Sequence, residues 1–406
     1  MRAVIMAGGK GTRVSSIAAD IPKPMLALAG KSVLAHQLDA LRNQGITEVT
    51  LVIGHLAQVI EEYFGDGTAF GMHIQYIIEP QPLGTAGALG MFAPATQDIL
   101  VINGDLIFSV DIARFHRAHQ ATGALATVLT HPNSHPYDSS VLQCDQLGRV
   151  TSWLTTEDER GWYQNRVNAG LHILSPELVN TLLPVTRRDL DRDVLRPLIS
   201  TGKLFAYHSP EYVCDMGTPE RLTAVERDIT AGVIARRNLT TPQEAVFLDR
   251  DGTINVSHGF LNDINQLELI SGMARYIADI NRSGRLAIVI TNQPVIARGE
   301  LTWDGLHAIH AKLETLLGEQ GAYLDDIFVC PHHPDAGFPG EVGEYKIVCD
   351  CRKPKPGLFY QAAERYHIDL AASVMVGDQQ RDKLAAVAAG CRFVWAKDII
   401  DAQRMK

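Results

Sequence analysis

Ala245-Val246-Phe247-Leu248-Asp249-Arg250-Asp251-Gly252-Thr253 is the stretch from which the rest of the chain can be read. Four apolar residues in a row read as a buried strand of a parallel sheet. Asp249 and Asp251 come directly after it, where open α/β sheets place their ligands. Of two carboxylates spaced this way, one can attack phosphorus while the other manages a proton. Thr291 and Asn292 follow a second apolar run, Lys353 comes next, and Asp378 follows a third run. Acid, hydroxyl, lysine and acid in that order make a phosphoryl-transfer site. Singly, each acid is more often a turn or cap residue; the ordered set makes chance a poor explanation.

That stretch begins past the middle of a 406-residue chain, a length that suits two domains better than one core. An apolar content of 46% and a charged content of 20% are those of a soluble globular protein. No apolar run approaches a membrane span, and Met1-Arg2-Ala3-Val4 is already strand-like, so a cytoplasmic location without a membrane partner is expected. A net charge of -9 argues against nucleic acid as a partner. Phosphorylated substrates then need local basic pockets, and Lys10, Arg13, Lys23, Arg352, Lys353 and Lys355 are the residues to supply them.

In the first half, residues 2–6 read as a buried strand running into Ala7-Gly8-Gly9-Lys10-Gly11-Thr12-Arg13. Three glycines let the backbone approach phosphate oxygens closely. The pattern is neither the Walker loop nor the dinucleotide fingerprint, and a plain strand-to-helix turn explains it about as well. Pro22-Lys23-Pro24 shifts that balance, because prolines on both sides hold the lysine in place. Leu34, Leu38 and Leu41 share a helical face, residues 49–53 read as a strand, and residues 74–78 as another. Between the two strands, Leu56, Val59, Ile60 and Tyr63 recur at helical spacing. The alternation implies a parallel, doubly wound sheet. Small residues from Glu79 to Gly87 permit a flat ring to lie against backbone. Asp105 and Asp215, on separate loops, can share a divalent ion, or else serve as a turn acid and a helix cap.

Taken together, residues 8–13, Pro22-Lys23-Pro24, Glu79 through Gly87, Asn103-Gly104-Asp105, Asn168-Ala169-Gly170 and Asp215-Met216-Gly217 resemble the sugar-1-phosphate nucleotidyltransferases, over roughly residues 1 to 230. The guanylyltransferases for mannose-like and heptose 1-phosphates are the nearest kind. The resemblance implies attack of a sugar phosphate on the α-phosphorus of a nucleoside triphosphate, GTP by that likeness, with release of pyrophosphate. It makes Arg13 and Lys23 catalytic and assigns Ala7, Gly8, Gly9, Gly11, Thr12, Glu79, Gly84 and Thr85 to the nucleotide. Asn168 and Gly170 fall to the sugar, and Asp105 and Asp215 to Mg²⁺. One departure concerns the Glu-Lys pair that often grips the sugar phosphate. Here residues 153–160 hold no such lysine, leaving Arg160 or Arg166 as substitutes.

In the second half, Cys330-Pro331-His332-His333 and Cys349-Asp350-Cys351 flank a Gly/Pro-containing loop. Such pairs give a tetrahedral structural zinc site from Cys330, His332, Cys349 and Cys351, with His333 as the alternative imidazole. Three cysteines beside histidines also favour a reducing compartment. The spacing between motifs leaves no room for a large cap domain. This half resembles the haloacid dehalogenase-like phosphatases, and with its zinc loop the heptose 1,7-bisphosphate 7-phosphatases; histidinol-phosphate phosphatases share much of it. The resemblance implies Asp249 as nucleophile and Asp251 as proton donor and acceptor. Lys353 balances charge, Thr291, Asn292 and Arg352 bind phosphate, and Mg²⁺ is held by Asp249, Asp251 and Asp378, with Asp382 orienting that shell. Pro294-Val295 stands where Ser-Gly is commoner and removes a backbone N–H.

The expected architecture is α/β, with two doubly wound Rossmann-like domains at 1–235 and 244–406 joined by a polar linker at 236–243. The expected function is bifunctional: removal of the 7-phosphate from D-glycero-α-D-manno-heptose 1,7-bisphosphate, then guanylyl transfer to the 1-phosphate, with room for a homo-oligomer. The rivals are another nucleotidyltransferase fused to a histidinol-phosphate-like or other sugar phosphatase, and a nucleotide-sugar sensor with one inactive site.

Overall fold

A computed structural model describes residues 1–9, 21–337 and 339–404. The chain divides into two compact units. The first comprises Met1–Thr130, Leu142–Trp153 and Asn168–Asn238; the second comprises His131–Val141, Leu154–Val167 and Leu239–Lys406. Two stretches of the first 235 residues therefore group with the second unit, a division not visible in composition.

The first unit is built on a nine-stranded sheet with Arg2–Met6 at its centre. That strand runs parallel to Glu48–Ile53 on one side and Ile99–Asn103 on the other, and Glu48–Ile53 is parallel to His73–Ile78. Alternate residues bury on opposite faces: Ala3, Ile5, Leu51 and Ile102 in one core, Val4, Val52, Ile99 and Val101 in the other. Strands covered on both sides are near-continuously apolar for this reason. The sheet is mixed, however, because Val167–Leu174 pairs antiparallel with Ile99–Asn103. Helix Val33–Arg42 is capped by Ser32, whose hydroxyl accepts from the Ala35 N–H, and buries Leu34, Leu38 and Leu41 as expected. In helix Ala57–Phe64 the buried side is Ile60 and Phe64, while Val59 and Tyr63 are exposed. Apolar residues at 59, 60, 63 and 64 mark two adjacent stripes, and only packing chooses between them.

The second unit carries a five-stranded, wholly parallel sheet in the order Asp326–Cys330, Leu286–Asn292, Ala245–Leu248, Val374–Gly377, Arg392–Trp395. Helices Met273–Arg282 and Trp303–Glu319 bury Ile277, Ile280, Ile309, Leu313 and Leu317 on one face. Helices Gly357–Tyr366 and Gln380–Ala389 bury Leu358, Phe359, Ala385 and Ala386 on the other. All strands point the same way, so Asp249, Asn292 and Asp378 arrive at one rim. Between Ala245–Leu248 and Leu286–Asn292 come only a short 3-10 turn at Ile264–Gln266 and helix Met273–Arg282, so among the described residues no large cap is inserted there. Residues 131–141 and 154–167 belong here through contacts with helix Trp303–Glu319. The Tyr163 N–H donates to Thr315 Oγ1 at 3.0 Å, that hydroxyl donates to the Tyr163 carbonyl at 3.1 Å, and Pro136 packs on Gly318.

The stretch expected as a polar linker is partly buried, with Arg236, Thr240, Thr241 and Pro242 exposed. Arg237 is buried in the first unit and donates to the Pro210 carbonyl, whereas Leu239 and Gln243 are buried in the second. Among the described residues no helix is long and apolar enough to cross a membrane.

Candidate active sites

The second unit gathers its ionisable groups at the rim where its strands end. Lys353 Nζ, with no exposed surface, lies 2.7 Å from Asp249 Oδ1 and 2.7 Å from Asp382 Oδ1, and donates to the Ile290 carbonyl at 2.8 Å. Burial pushes the Asp249 carboxyl up, an effect opposed by the Lys353 charge. Asp382 also accepts from the Gln379 N–H at the start of helix Gln380–Ala389. Its expected part in orienting a metal shell is thus joined by a direct hold on Lys353. Asp249, Asp378 and Asp382 present carboxylate oxygens within 4.8 Å of one another. Asp378 Oδ1 is buried and has no hydrogen-bond partner. An orphaned buried carboxylate oxygen beside a second carboxylate fits a divalent cation. Gly252, at φ +82°, lies so close to the Asp378 carboxylate that any Cβ would collide with it.

Thr291 is buried, and its hydroxyl accepts from Gln293 Nε2 at 2.8 Å. The Asn292 side chain is tied to the backbone of Lys353. Its amide donates to the Lys353 carbonyl and accepts from the Lys353 N–H, both at 3.0 Å. The side chain thus holds the lysine's backbone, a short polar group finding the nearest unpaired main chain. Around Asp251 stands a network absent from the sequence reading. Arg250, fully buried, donates to Asp251 at 2.9 and 3.0 Å and to Gln293 Oε1 at 3.0 Å, and faces His310 Nε2 at 3.1 Å. Asn255 and Gln293 also donate to Asp251. Burial would raise the Asp251 carboxyl, but the Arg250 charge and these hydrogen bonds hold it below its ordinary value. The only sequence signal for this network was Arg250 lying between two acids and Gln293 following Asn292.

Cys330, His332, Cys349 and Cys351 converge at the end of strand Asp326–Cys330. Cys351 Sγ is 3.2 Å from Cys330 Sγ, 3.3 Å from Cys349 Sγ and 3.2 Å from His332 Nδ1, and Cys330 Sγ is 3.7 Å from His332 Nδ1. A tetrahedron with metal bonds of about 2.0–2.3 Å has corners roughly 3.3–3.8 Å apart, so the donor set has about the right size for a metal ion. His333 is turned aside and accepts from the Asp335 N–H. Half-buried Arg352 donates to the His332 carbonyl at 3.1 Å, tying the residue beside Lys353 to the cluster.

In the first unit, Lys23 Nζ pairs with Asp105 Oδ2 at 2.5 Å, and Arg221 Nη1 reaches both oxygens of Asp215 at 2.8 Å. Strand Tyr212–Asp215 pairs with Leu106–Ser109 so that Asp215 stands opposite Leu106, and the Met216 N–H donates to the Asp105 carbonyl. The two acids are therefore neighbours along the backbone, each paired with a cationic side chain. Asp215 is not the helix cap, since Thr218 caps Pro219–Thr230. Ala7 extends the central strand by donating to the Val52 carbonyl, and a Cβ on Gly8 would press on the Glu79 carboxylate at 3.1 Å. Glu79 Oε1 is buried without a partner, and burial raises the carboxyl. Thr85 Oγ1 accepts from the Leu190 N–H and donates to Asp189, and Gly84 (φ +81°) packs against the Arg188 carbonyl. Asn168 Oδ1 accepts from the Gly170 N–H and meets His172 Nε2, while its amide reaches toward Asp191, whose carboxyl burial pushes up to about 6. Gly9 is the last described residue of its loop; Lys10, Gly11, Thr12 and Arg13 lie outside the described residues.

Arg160 does not replace the missing sugar-phosphate lysine. Its guanidinium donates to the carbonyls of Leu154, Thr155, Pro136 and Ser139 in the second unit, where unpaired loop carbonyls outcompete solvent. Arg166 belongs to that unit too, beside Glu314.

Residues 2–232 match the nucleotidyl transferase family, and residues 350–398 match the HAD-hydrolase-like family. Over its second part the chain is 45% identical across 145 residues to the D-glycero-beta-D-manno-heptose-1,7-bisphosphate 7-phosphatase of Escherichia coli K12, covering 36% of this chain and 74% of that protein. This chain belongs to the nucleotidyl transferase family and, through its second part, to the heptose-bisphosphate phosphatases. The Vibrio cholerae phosphatase of the same name is 44% identical over 146 residues, covering 36% of this chain and 76% of its own. HddC from Yersinia pseudotuberculosis superposes with a TM-score of 0.50 at 26% identity, covering 56% of this chain and 99% of HddC. The nucleotidyltransferase part and the phosphatase part make this a bifunctional enzyme. The name of the phosphatase relatives specifies the β anomer, where the sequence reading took the α anomer.

Proposed function

We propose that the phosphatase part removes the 7-phosphate of D-glycero-D-manno-heptose 1,7-bisphosphate, and that the nucleotidyltransferase part joins the resulting 1-phosphate to GMP from GTP, releasing pyrophosphate. The buried Lys353 bridging Asp249 and Asp382 at a strand-end rim, next to Thr291 and Asp378, is the observation that carries the phosphatase half. Asp249 Oδ attacks phosphorus as the P–O7 bond breaks, and Asp251 gives O7 a proton. Asp251 then takes a proton from water whose oxygen attacks the same phosphorus, freeing Asp249. Lys353 offsets charge that accumulates on the transferring group, and Thr291 orients it. Asp249, the Asp251 carbonyl and Asp378 would hold Mg²⁺, which would supply further charge neutralisation. Cys330, His332, Cys349 and Cys351 would hold zinc in a structural role, since four protein donors would leave no position for substrate.

In the transferase, Lys23 and Arg13 would hold phosphates, Asp105 and Asp215 would hold Mg²⁺, Ala7, Gly8, Gly9, Gly11, Thr12, Glu79, Gly84 and Thr85 would bind the nucleotide, and Asn168 with Gly170 would meet the sugar. Positioning and charge dominate such a transfer, because the protein forms no covalent bond. A cytoplasmic location and a division near residues 236–243 are part of this reading. Purified protein is to be assayed with α and β heptose bisphosphates, histidinol phosphate and a panel of nucleoside triphosphates. Release of phosphate from a heptose bisphosphate, followed by GTP-dependent pyrophosphate release, is expected. Turnover of histidinol phosphate in its place would reject the heptose assignment.

A further inference from the structure

The mechanism above uses Asp251 but does not explain what places it. Arg250 and His310 have no assigned part, yet both are buried, at 0% and 5% exposure, immediately behind the acid. Nη2 of Arg250 contacts both Asp251 oxygens, at 3.0 and 2.9 Å, and Gln293 Oε1 at 3.0 Å, while Nη1 faces His310 Nε2 at 3.1 Å. Burial first, then the Arg250 charge, pushes His310 well below its ordinary value, so the ring meets the guanidinium as a neutral acceptor. Helix Trp303–Glu319 fixes that ring through Leu306, Ile309 and Leu313 on the same buried side. Gln293 closes the arrangement, its amide donating to Asp251 Oδ2 at 2.9 Å and to Thr291 Oγ1 at 2.8 Å. The acid is thereby fixed relative to the hydroxyl that orients the phosphoryl group.

A buried guanidinium–carboxylate pair is seldom more stabilising than apolar packing of the same volume, so stability alone is a weak reason for it. Both carboxylate oxygens are engaged by one rigid fork, which fixes the plane of the carboxyl as a single contact would not. We propose that Arg250, backed by His310, is a positioning residue that sets where the Asp251 carboxyl stands for proton transfer to the departing oxygen. The inference rests on the phosphatase reading above. In the step concerned, the Asp249–phosphorus bond forms, the bond to the leaving oxygen breaks, and a proton that Asp251 has first taken up from solvent passes to that oxygen. A sugar alkoxide needs that proton to leave; nitrophenolate departs without it.

The test compares kcat/KM, which reports the steps through phosphoenzyme formation, on heptose 1,7-bisphosphate and on p-nitrophenyl phosphate in the full chain with Mg²⁺. Arg250→Gln is expected to lose about 10²-fold on the sugar phosphate and less than about threefold on the aryl phosphate. His310→Leu is expected to show the same pattern, and His310→Gln, which restores an acceptor, to recover most of the loss. Equal losses on both substrates, or no loss on the sugar phosphate, would overturn the proposal. Should Arg250→Gln fail to fold, the two His310 variants decide by the same comparison. Failure of the unmodified protein to hydrolyse either substrate would remove the phosphatase reading itself, and this inference with it.

Discussion

Lys353 is the residue on which the phosphatase chemistry and the local fold converge. It sits without exposed surface between two carboxylates, so removing its charge leaves Asp249 and Asp382 buried and facing each other. Lys353→Met is expected to abolish phosphate release and to destabilise the second unit by about 3–5 kcal/mol, read by urea unfolding. Asp249→Asn should also end phosphate release while leaving nucleotidyl transfer intact; loss of both in a folded variant would contradict two independent sites. In the first unit His172 gives a pH signature. Burial pushes it from its ordinary value down to about 4, so the folded ring stays neutral while the unfolded one takes up a proton below about pH 6.5. Its contribution to stability is therefore intact above that pH and is lost as pH falls toward 4, by up to ~1.4 kcal/mol per unit. Unfolding at pH 7 and pH 5 should show that loss in the native chain and a smaller one in His172→Gln. Asp249 and Asp378 were legible in the sequence because each follows an apolar run, and Lys353 because it comes just after the pair Cys349 and Cys351. His172 and His310 were not, because a histidine within an apolar run gives no sign of what it faces.

The loop ending in Cys349 and Cys351 is the element proposed to bind zinc. Its four donor residues stand 3.2–3.7 Å apart at their ligating atoms, and Arg352 and Lys353 follow directly. Structural zinc contributes about 10–16 kcal/mol in small peptide sites, so its removal should loosen this loop strongly. Cys349→Ser, assayed with Mg²⁺ present, is expected to lose zinc by metal analysis and to abolish phosphate release while nucleotidyl transfer persists. Phosphatase activity unchanged in zinc-free, Mg²⁺-supplied protein would reject the structural role. At the same scale, Ser32→Ala removes the cap of helix Val33–Arg42 and should cost about 1 kcal/mol. Paired Cys and His spacings made the loop legible, because short ligand pairs are local. The direction of Val167–Leu174 was not legible, since an apolar run carries no record of whether its partner runs with it or against it.

For the whole molecule, the sequence order of motifs implied two α/β units, and two units are what the chain forms. A fragment spanning 239–406 lacks residues 131–141 and 154–167, hence the Tyr163–Thr315 hydrogen bonds and the Pro136–Gly318 packing. It is expected to melt at a lower temperature than the second unit of the intact chain; an equal midpoint would show those segments to be dispensable. By itself the sequence determined the two chemistries, the strand-end acids, Lys353 and the metal-ligand set, because strand ends, glycine turns and ligand pairs are written within a few neighbouring residues. Tertiary structure alone decided that Asn292 holds a backbone, that Arg160 is committed to loop carbonyls, that Arg250 and His310 back Asp251, and that segments of the first half complete the second unit. Each of these depends on which distant group fills the space beside a side chain, and packing, not local order, sets that.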